Sequence, residues 1–454
     1  MSDAAARSKK KAIAPLQSAY ALRAAVDASY KESVAAMAAG KPTAWAMANW
    51  WQGSPILKAM DVETVYPENY GAVCAATGVA QRYLQIADAA GFPTHLCGYM
   101  RTNLGYTHRM VRELGGAIPP EAPLGGMPKP VLLLGSGIVC DPRYKWFQAL
   151  GRYLDAPVYV LEMPNPGTKE LFRKGVYESC VRFVVEDIRE FIAFLERLLG
   201  KRMDYDRLEE VVDDMLTMLR VWHEVNDLRK ARPCPMHARH FWTCMPQALF
   251  LLGDLKEAIA NYRALYEEVS RLVSEGQGAV VEERYRLGWC ELPPWHSLGF
   301  FDLLAERGWN FVVESLGYHP PLPFDAGGIR DPVEKIARNT LQWYTGYYRY
   351  FQDGTTQMGF LGDPYLKWAR EYHLDGMFLH QLLTCRTASN HLGYVREILA
   401  SRAHIPSLEL QGDIVDFSLF DPDDALRKAE AFEEAMEYHR EKRAAQEGRS
   451  AGRA

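Results

Sequence analysis

Scarcity narrows the possibilities first. The chain has 454 residues and only eight cysteines, no two of them in a CxxC pair, so the compact spacing of a zinc ribbon or a thiol–disulfide centre is missing. No stretch reaches the roughly 20 apolar residues that span a bilayer. The start, MSDAAARSKKKAIAPL, is basic and alanine-rich but holds no apolar run, and therefore does not read as a signal peptide. Without export, the cysteines read as reduced thiols or metal ligands, and the compartment as cytoplasmic. Net charge is −5 with no basic face in the sequence, which argues against a nucleic-acid partner. There is no G-x4-G-K-S/T phosphate loop, and Gly135-Ser136-Gly137 lacks the third glycine of a dinucleotide fingerprint. The chain is therefore not expected to hydrolyse ATP itself.

What is present is enough apolar material for large cores, 48% against 24% charged, in a chain too long for a single one. Residues 1–40 read as a helical segment, with Tyr20, Leu22, Val26 and Tyr30 at helical spacing. Residues 41–175 alternate short apolar runs with helical stretches. Strands are expected at Thr43–Trp51, Val62–Tyr66, Val131–Val139 and Val158–Met163, the last stopped by Pro164-Asn165-Pro166-Gly167. A helix is expected from Gly71 to Ala90. Residues 176–278 form a helical connecting block, in which the stripe Val181, Val184, Ile188, Phe191, Phe194 and Leu198 ends at Gly200, a C-cap. A second α/β domain, 279–454, carries strands at Tyr285–Trp289, Asn310–Glu314, Met377–Leu383 and Ser407–Leu410, then a charged helix from Pro422 to Arg443 read as a solvated face. The expected fold class is α/β: two Rossmann- or flavodoxin-like domains with mainly parallel sheets. No repeat of fixed period is visible, only a loose echo of two similar halves.

Three distant cysteines, Cys97, Cys140 and Cys385, each stand where a strand is expected to run out. C-terminal strand ends converge on the crevice of an α/β sheet, so separations of 43 and 245 positions need not separate them in space. Three soft thiolates at one crevice suit an iron–sulfur cluster, with one iron left open. Each cysteine is followed by an arginine (Arg101, Arg143, Arg386), and a nearby cation favours thiolate. The alternative is that they are small buried core residues. Cys74, expected at a helix start, is either a fourth ligand or another core cysteine. The set Cys234, His237, His240 and Cys244 has ligand-like spacing but reads better as polar residues packed between helices or lining a cleft.

Several segments carry a wider likeness. They are Tyr66-Pro67-Glu68-Asn69-Tyr70 leading to Cys74, Leu96-Cys97 with Arg101, and Cys140-Asp141 with Lys145-Trp146-Phe147. Val160 to Pro164, His373-Leu374-Asp375-Gly376 leading to Cys385-Arg386, and Ile405 to Glu409 leading to Asp413 complete the set. Over most of residues 40–420 the chain resembles the benzoyl-CoA reductase and 2-hydroxyacyl-CoA dehydratase family, and its Tyr-Pro-Glu-Asn and Lys-Trp-Phe segments look closer to the reductase branch. The resemblance implies a 4Fe–4S cluster held by Cys97, Cys140 and Cys385 between two α/β domains. It implies an oxidoreductase subunit that passes low-potential electrons to the ring of benzoyl-CoA. The partners implied are a smaller homologous cluster-binding subunit, ATP-hydrolysing activator subunits and ferredoxin as donor. Dehydration of a 2-hydroxyacyl-CoA, or an electron relay to a catalytic partner, are the alternatives. Where relatives carry a Pro-Glu-Leu-Leu type segment, this chain reads Gly53-Ser54-Pro55-Ile56-Leu57, which leaves any role for that glutamate absent or on the partner.

Ring reduction also needs protons. Glu291, His296 and His380 are the candidate donors, the first two in the loop after an expected strand. Trp45, Trp50, Trp51, Trp343 and Tyr344 are candidates for an apolar wall around a flat substrate.

Overall fold

The computed structural model describes residues 12–137, 140, 142–164, 173–315, 324–351 and 363–451. Val139, Asp141, Asn165 to Gly167 and the side chains of Trp343 and Tyr344 lie outside the described residues.

The apolar run Leu132-Leu133-Leu134 is buried at every position, as a strand covered on both faces requires. It forms β3 (Leu132–Ser136), which lies in a four-stranded sheet with β1 (Thr43–Ala46), β2 (Glu63–Val65) and β4 (Val158–Leu161), in the order β2-β1-β3-β4. The second sheet holds β5 (Tyr285–Cys290), β6 (Trp309–Glu314), β7 (Gly376–Leu382) and β8 (Ser407–Gly412), in the order β6-β5-β7-β8. Every pairing in both sheets is parallel. Both sheets place their first strand between the second and third, so each reverses its winding there. Ligands bind at the carboxyl ends beside such a reversal. The loose echo of two halves is this shared strand order.

All eight expected strands form; the four of the first sheet are shorter than expected, whereas β5, β6 and β8 run one or two residues longer. Other expectations fail in detail. The helix expected from Gly71 to Ala90 is two helices, Pro67–Ala76 and Ala80–Ala89, with Gly78 at φ +77° between them. Pro67 starts the first one, its fixed φ suiting the opening turn. In the helix Gln17–Ala38 the buried stripe is Ala19, Leu22, Val26 and Tyr30, and Tyr20 is 51% exposed. Tyr20 precedes Leu22 by two residues, which puts it on the far side of the helix.

Between the sheets in sequence lie the helices Val176–Leu199, Tyr205–Leu228, Ala238–Phe250 and Leu255–Ser274. Gly200 ends the first in the left-handed conformation, and Leu195 rather than the exposed Leu198 completes its buried stripe. Asp204 caps the second by accepting from the backbone of Asp206 and Arg207. A buried bidentate pair, Arg229 to Glu314 at 2.7 Å for both bonds, fastens the residue after this helix to the end of β6. Removing one partner of such a pair leaves an uncompensated buried charge, worth about 3–5 kcal/mol. Among the described residues, no helix is long and apolar enough to cross a membrane.

Candidate active site

Cys97, Cys140 and Cys385 line one cavity of about 100 Å³. Their shared local feature is a helix start. Cys97 caps Gly98–His108, Cys385 caps Arg386–Ser389, and Cys140 lies two residues before Pro142–Leu154. Cys140 and Cys385 follow β3 and β7, the third strands of their sheets. Cys97 follows no strand, contrary to expectation: residues 90–97 form turns and bends, with Pro93 among them, that lead straight into its helix.

The arginines expected to favour thiolate are engaged elsewhere. Arg101 is buried on Asp88 and Asp416. Arg143 pairs with Glu68 at 2.6 Å and donates to Ala48 O at 2.7 Å, and Arg386 is exposed. Burial therefore dominates the thiols. It pushes Cys97 far up, with Cys385 and Cys140 adding to the cost, against the backbone N–H of Met100. It pushes Cys385 up to about 12, against the N–H of Ala388. Three thiols crowded in a dry cavity, two of them met by helix-start N–H groups, carry a charge penalty that a bound metal would remove, because thiolates ligate metals. They are not gathered tightly enough for their ligand atoms all to lie within 4.8 Å, the spacing that singles out Cys290, Glu291 and His391. Three sulfurs around one cavity fit an iron–sulfur group.

Glu291 lines the same cavity. It follows the last residue of β5 at φ +78°, an uncommon conformation for a residue with a side chain. Its backbone N–H donates to Ser315 Oγ at 3.2 Å, and its Oε1 lies 3.1 Å from His391 Nε2. Tyr365 closes the network, reaching Ser315, His391 and Cys290 at 3.1, 3.2 and 3.3 Å. Burial opposes charge on His391, but its bonds to Cys290 and Glu291 outweigh this and push it up to about 10. Burial raises the Glu291 carboxyl too, against the pull of His391. The pair thus keeps a proton well above neutral pH.

The other expected donors lie off the cavity. His296 donates from Nε2 to Asp413 O at 3.0 Å, with Nδ1 at 2.8 Å from Ser297 Oγ. His380 donates to Leu292 O at 2.6 Å, and burial pushes it down to about 4. Cys74 is not at a helix start but in the last turn of Pro67–Ala76. It is fully buried beside Tyr70, and does not line the cavity. His237 caps the helix Ala238–Phe250 and His240 returns a bond to its backbone, so these ring nitrogens serve the helix end. Of the expected aromatic wall, Trp50 lines the cavity, whereas the indole N–H groups of Trp45 and Trp51 donate to Pro128 O and Ala248 O.

Sequence reasoning passed over Glu68, Arg143 and His391 as site residues. Glu68 and Arg143 both line the cavity. They hold each other beneath Trp50, whose ring lies 5.2 Å from the guanidinium. The cavity's two carboxylates are Glu68 and Glu291. The signals were available: Glu68 lies inside the Tyr-Pro-Glu-Asn segment, and Arg143 three residues after Cys140. His391 lies six residues after Cys385, with no local pattern to mark it.

Residues 53–445 match the family described as 2-hydroxyglutaryl-CoA dehydratase, D-component. The chain is 23% identical over 386 residues to lactoyl-CoA dehydratase subunit alpha of Anaerotignum propionicum, covering 83% of this chain and 87% of that one. It is 27% identical over 286 residues to the (R)-2-hydroxyisocaproyl-CoA dehydratase alpha subunit of Clostridioides difficile, covering 62% and 66%. It is 20% identical to (R)-2-hydroxyglutaryl-CoA dehydratase, subunit alpha, of Acidaminococcus fermentans, covering 93% and 98%. These relatives are dehydratase subunits, which favours the dehydratase alternative over the expected lean toward the benzoyl-CoA reductase branch.

Proposed function

The chain belongs to the 2-hydroxyglutaryl-CoA dehydratase D-component family, and from that premise we propose that it is the alpha-type subunit of a 2-hydroxyacyl-CoA dehydratase, removing water from a CoA thioester. The observation that carries this is the convergence of three cysteines and the Glu291–His391 pair on one cavity. Cys97, Cys140 and Cys385 would hold a 4Fe–4S cluster. When bound, such a cluster supplies a low-potential electron and an iron free of cysteine.

The chain's own groups do the rest. Trp50, Trp146, Leu249, Phe250, Leu292 and Ile414 wall the cavity and exclude water, which strengthens every polar interaction inside. Loss of a hydroxyl group needs a proton for the departing oxygen. Glu291, inside the cavity, receives that proton from His391 behind it, a role for general acid catalysis. Arg143, fixed by Glu68, presents a guanidinium edge to the thioester. The partners in this scheme are a smaller homologous subunit, an ATP-hydrolysing activator and ferredoxin as donor.

Anaerobic purification with iron and sulfide counts, with and without Cys140→Ser, tests the ligand set. About four irons per chain are expected, as one such cluster requires, and their loss in the variant. Assay with the partner subunit and activator on a panel of 2-hydroxyacyl-CoA esters is expected to yield 2-enoyl-CoA with no net electron consumption. Two electrons consumed per turnover on benzoyl-CoA, with no dehydration, would overturn the dehydratase assignment and restore ring reduction.

A further inference from the structure

A second, larger concavity lies away from the cysteines. It is a cleft of about 1400 Å³ at the opposite ends of the second sheet's strands, reached by Arg284 and Arg286 at the start of β5, Asp375 just before β7, and Ile405 just before β8. The seven-residue β7 separates it from Cys385 by about 23 Å at 3.3 Å per residue. Arginine dominates its lining, with seven guanidinium groups against the carboxylates of Glu283 and Asp375.

Some of those charges are occupied. Arg286 is buried and spent on Glu283 and on backbone carbonyls of Tyr372 and Ala231. Arg440 and Arg443 share Asp375 at 2.8 and 3.3 Å, and Arg284 pairs with Glu433 at 2.7 Å. Arg232 and Arg402, both exposed on the rim, have no ion pair among the described residues. Arg232 and Arg402 are thus the charges of this rim on which a bound anion can draw. His373, exposed at the cleft with φ +52°, is lowered first by partial desolvation and then by the nearby Arg232 and Arg286. Ala369, Leu374, Ala403 and Ile405 supply an apolar floor.

An arginine-rimmed cleft with an apolar floor matches a ligand that has several phosphates at one end and a flat ring at the other. Its concavity favours a small molecule over a flat protein surface. We propose that this cleft is a second ligand site, which binds an adenine nucleotide carrying two or more phosphates. That chemistry is shared by a free nucleoside triphosphate and by the phosphorylated ADP end of coenzyme A. The proposal does not depend on the dehydratase assignment, because the cleft and the cavity lie at opposite strand ends. It also gives Arg440 and Arg443 of the C-terminal helix Pro422–Ala451 a use beyond a solvated face.

Calorimetric titration of the full chain with ATP, with thiol-free desulfo-coenzyme A and with adenosine, in matched salt, tests it. ATP binding is expected, with adenosine at least tenfold weaker and affinity falling as salt rises. Arg232→Glu combined with Arg402→Glu is expected to weaken ATP at least tenfold with iron content and circular dichroism unchanged. If desulfo-coenzyme A weakens in parallel, both sources share the cleft; if it alone is unaffected, the free nucleotide is the ligand. Sulfate competing equally with ATP overturns the proposal, and so does ATP binding that the double variant leaves intact. Loss of activator binding in that variant with no ATP binding in either protein would also overturn it.

Discussion

The backbone N–H of Gly98 donates to Thr384 Oγ1 at 3.2 Å, joining the residue after Cys97 to the residue before Cys385. Thr384 in turn donates to Asp413 Oδ2, and Asp413 Oδ1 accepts from Val415 and Asp416. One chain of hydrogen bonds therefore fixes two of the three sulfurs relative to each other. No side chain is tolerated at its start: a Cβ on Gly98 would sit 2.6 Å from Asp413 Oδ1.

Gly98→Ala is accordingly expected to force Cys97 and Cys385 apart. Overpacking of this kind costs about 1–3 kcal/mol. Thermal unfolding reports the cost, and iron per chain should fall more steeply than folded fraction. An alanine variant with full iron content would show that this contact does not set the spacing.

Glu291→Gln and His391→Gln are expected to leave iron content intact and to lower kcat for dehydration, by about 10²–10⁴ if the pair acts as general acid. Binding of substrate, read separately as KM, should change little. A variant that loses its metal instead would mark Glu291 or His391 as a ligand.

Cys74 separates a core thiol from a liganding one. It is buried in a cage of tyrosines, Tyr70 with Tyr30, Tyr83 and Tyr106, and burial keeps it a neutral thiol. Cys74→Ala is expected to cost about 1 kcal/mol through lost packing, visible in the denaturation midpoint, with iron and sulfide unchanged. Cys140→Ser should show the reverse.

Stability should fall on the acid side before the carboxylates titrate. Burial pushes His240 and His380 down to about 4 and lowers His237 as well. The unfolded chain binds protons at these positions below its ordinary value of about 6.5, whereas the folded chain resists until about 4. Stability therefore rises with pH between about 4 and 6.5, by roughly 3 kcal/mol for each of His240 and His380 at 1.36 kcal/mol per unit. Urea denaturation at pH 4.5, 5.5 and 7 measures the slope. His380→Phe should flatten it, although Leu292 O then loses its donor.

By itself the sequence determined the strands and their type. Continuous runs such as Leu132-Leu133-Leu134 fit a strand covered on both faces of a parallel sheet, and all eight strands were legible along with the helices between the sheets. Cys140 and Cys385 were legible as candidates because each follows one of those runs. Tertiary structure decided what distance along the chain conceals. Cys97 reaches the cavity through a helix start rather than a strand end, and its neighbour Gly98 is held by Thr384, 286 positions away. Cys74 is excluded because its helix opens at Pro67, seven residues earlier, and turns it into a cage of tyrosines. His391 joins Glu291 only because β5 and β7 are paired neighbours, and the arginine cleft gathers residues from across more than 200 positions. Local pattern encodes which residues are buried in an element. Which polar groups then share one desolvated space depends on how the two sheets and their loops pack, and no short window of sequence contains that.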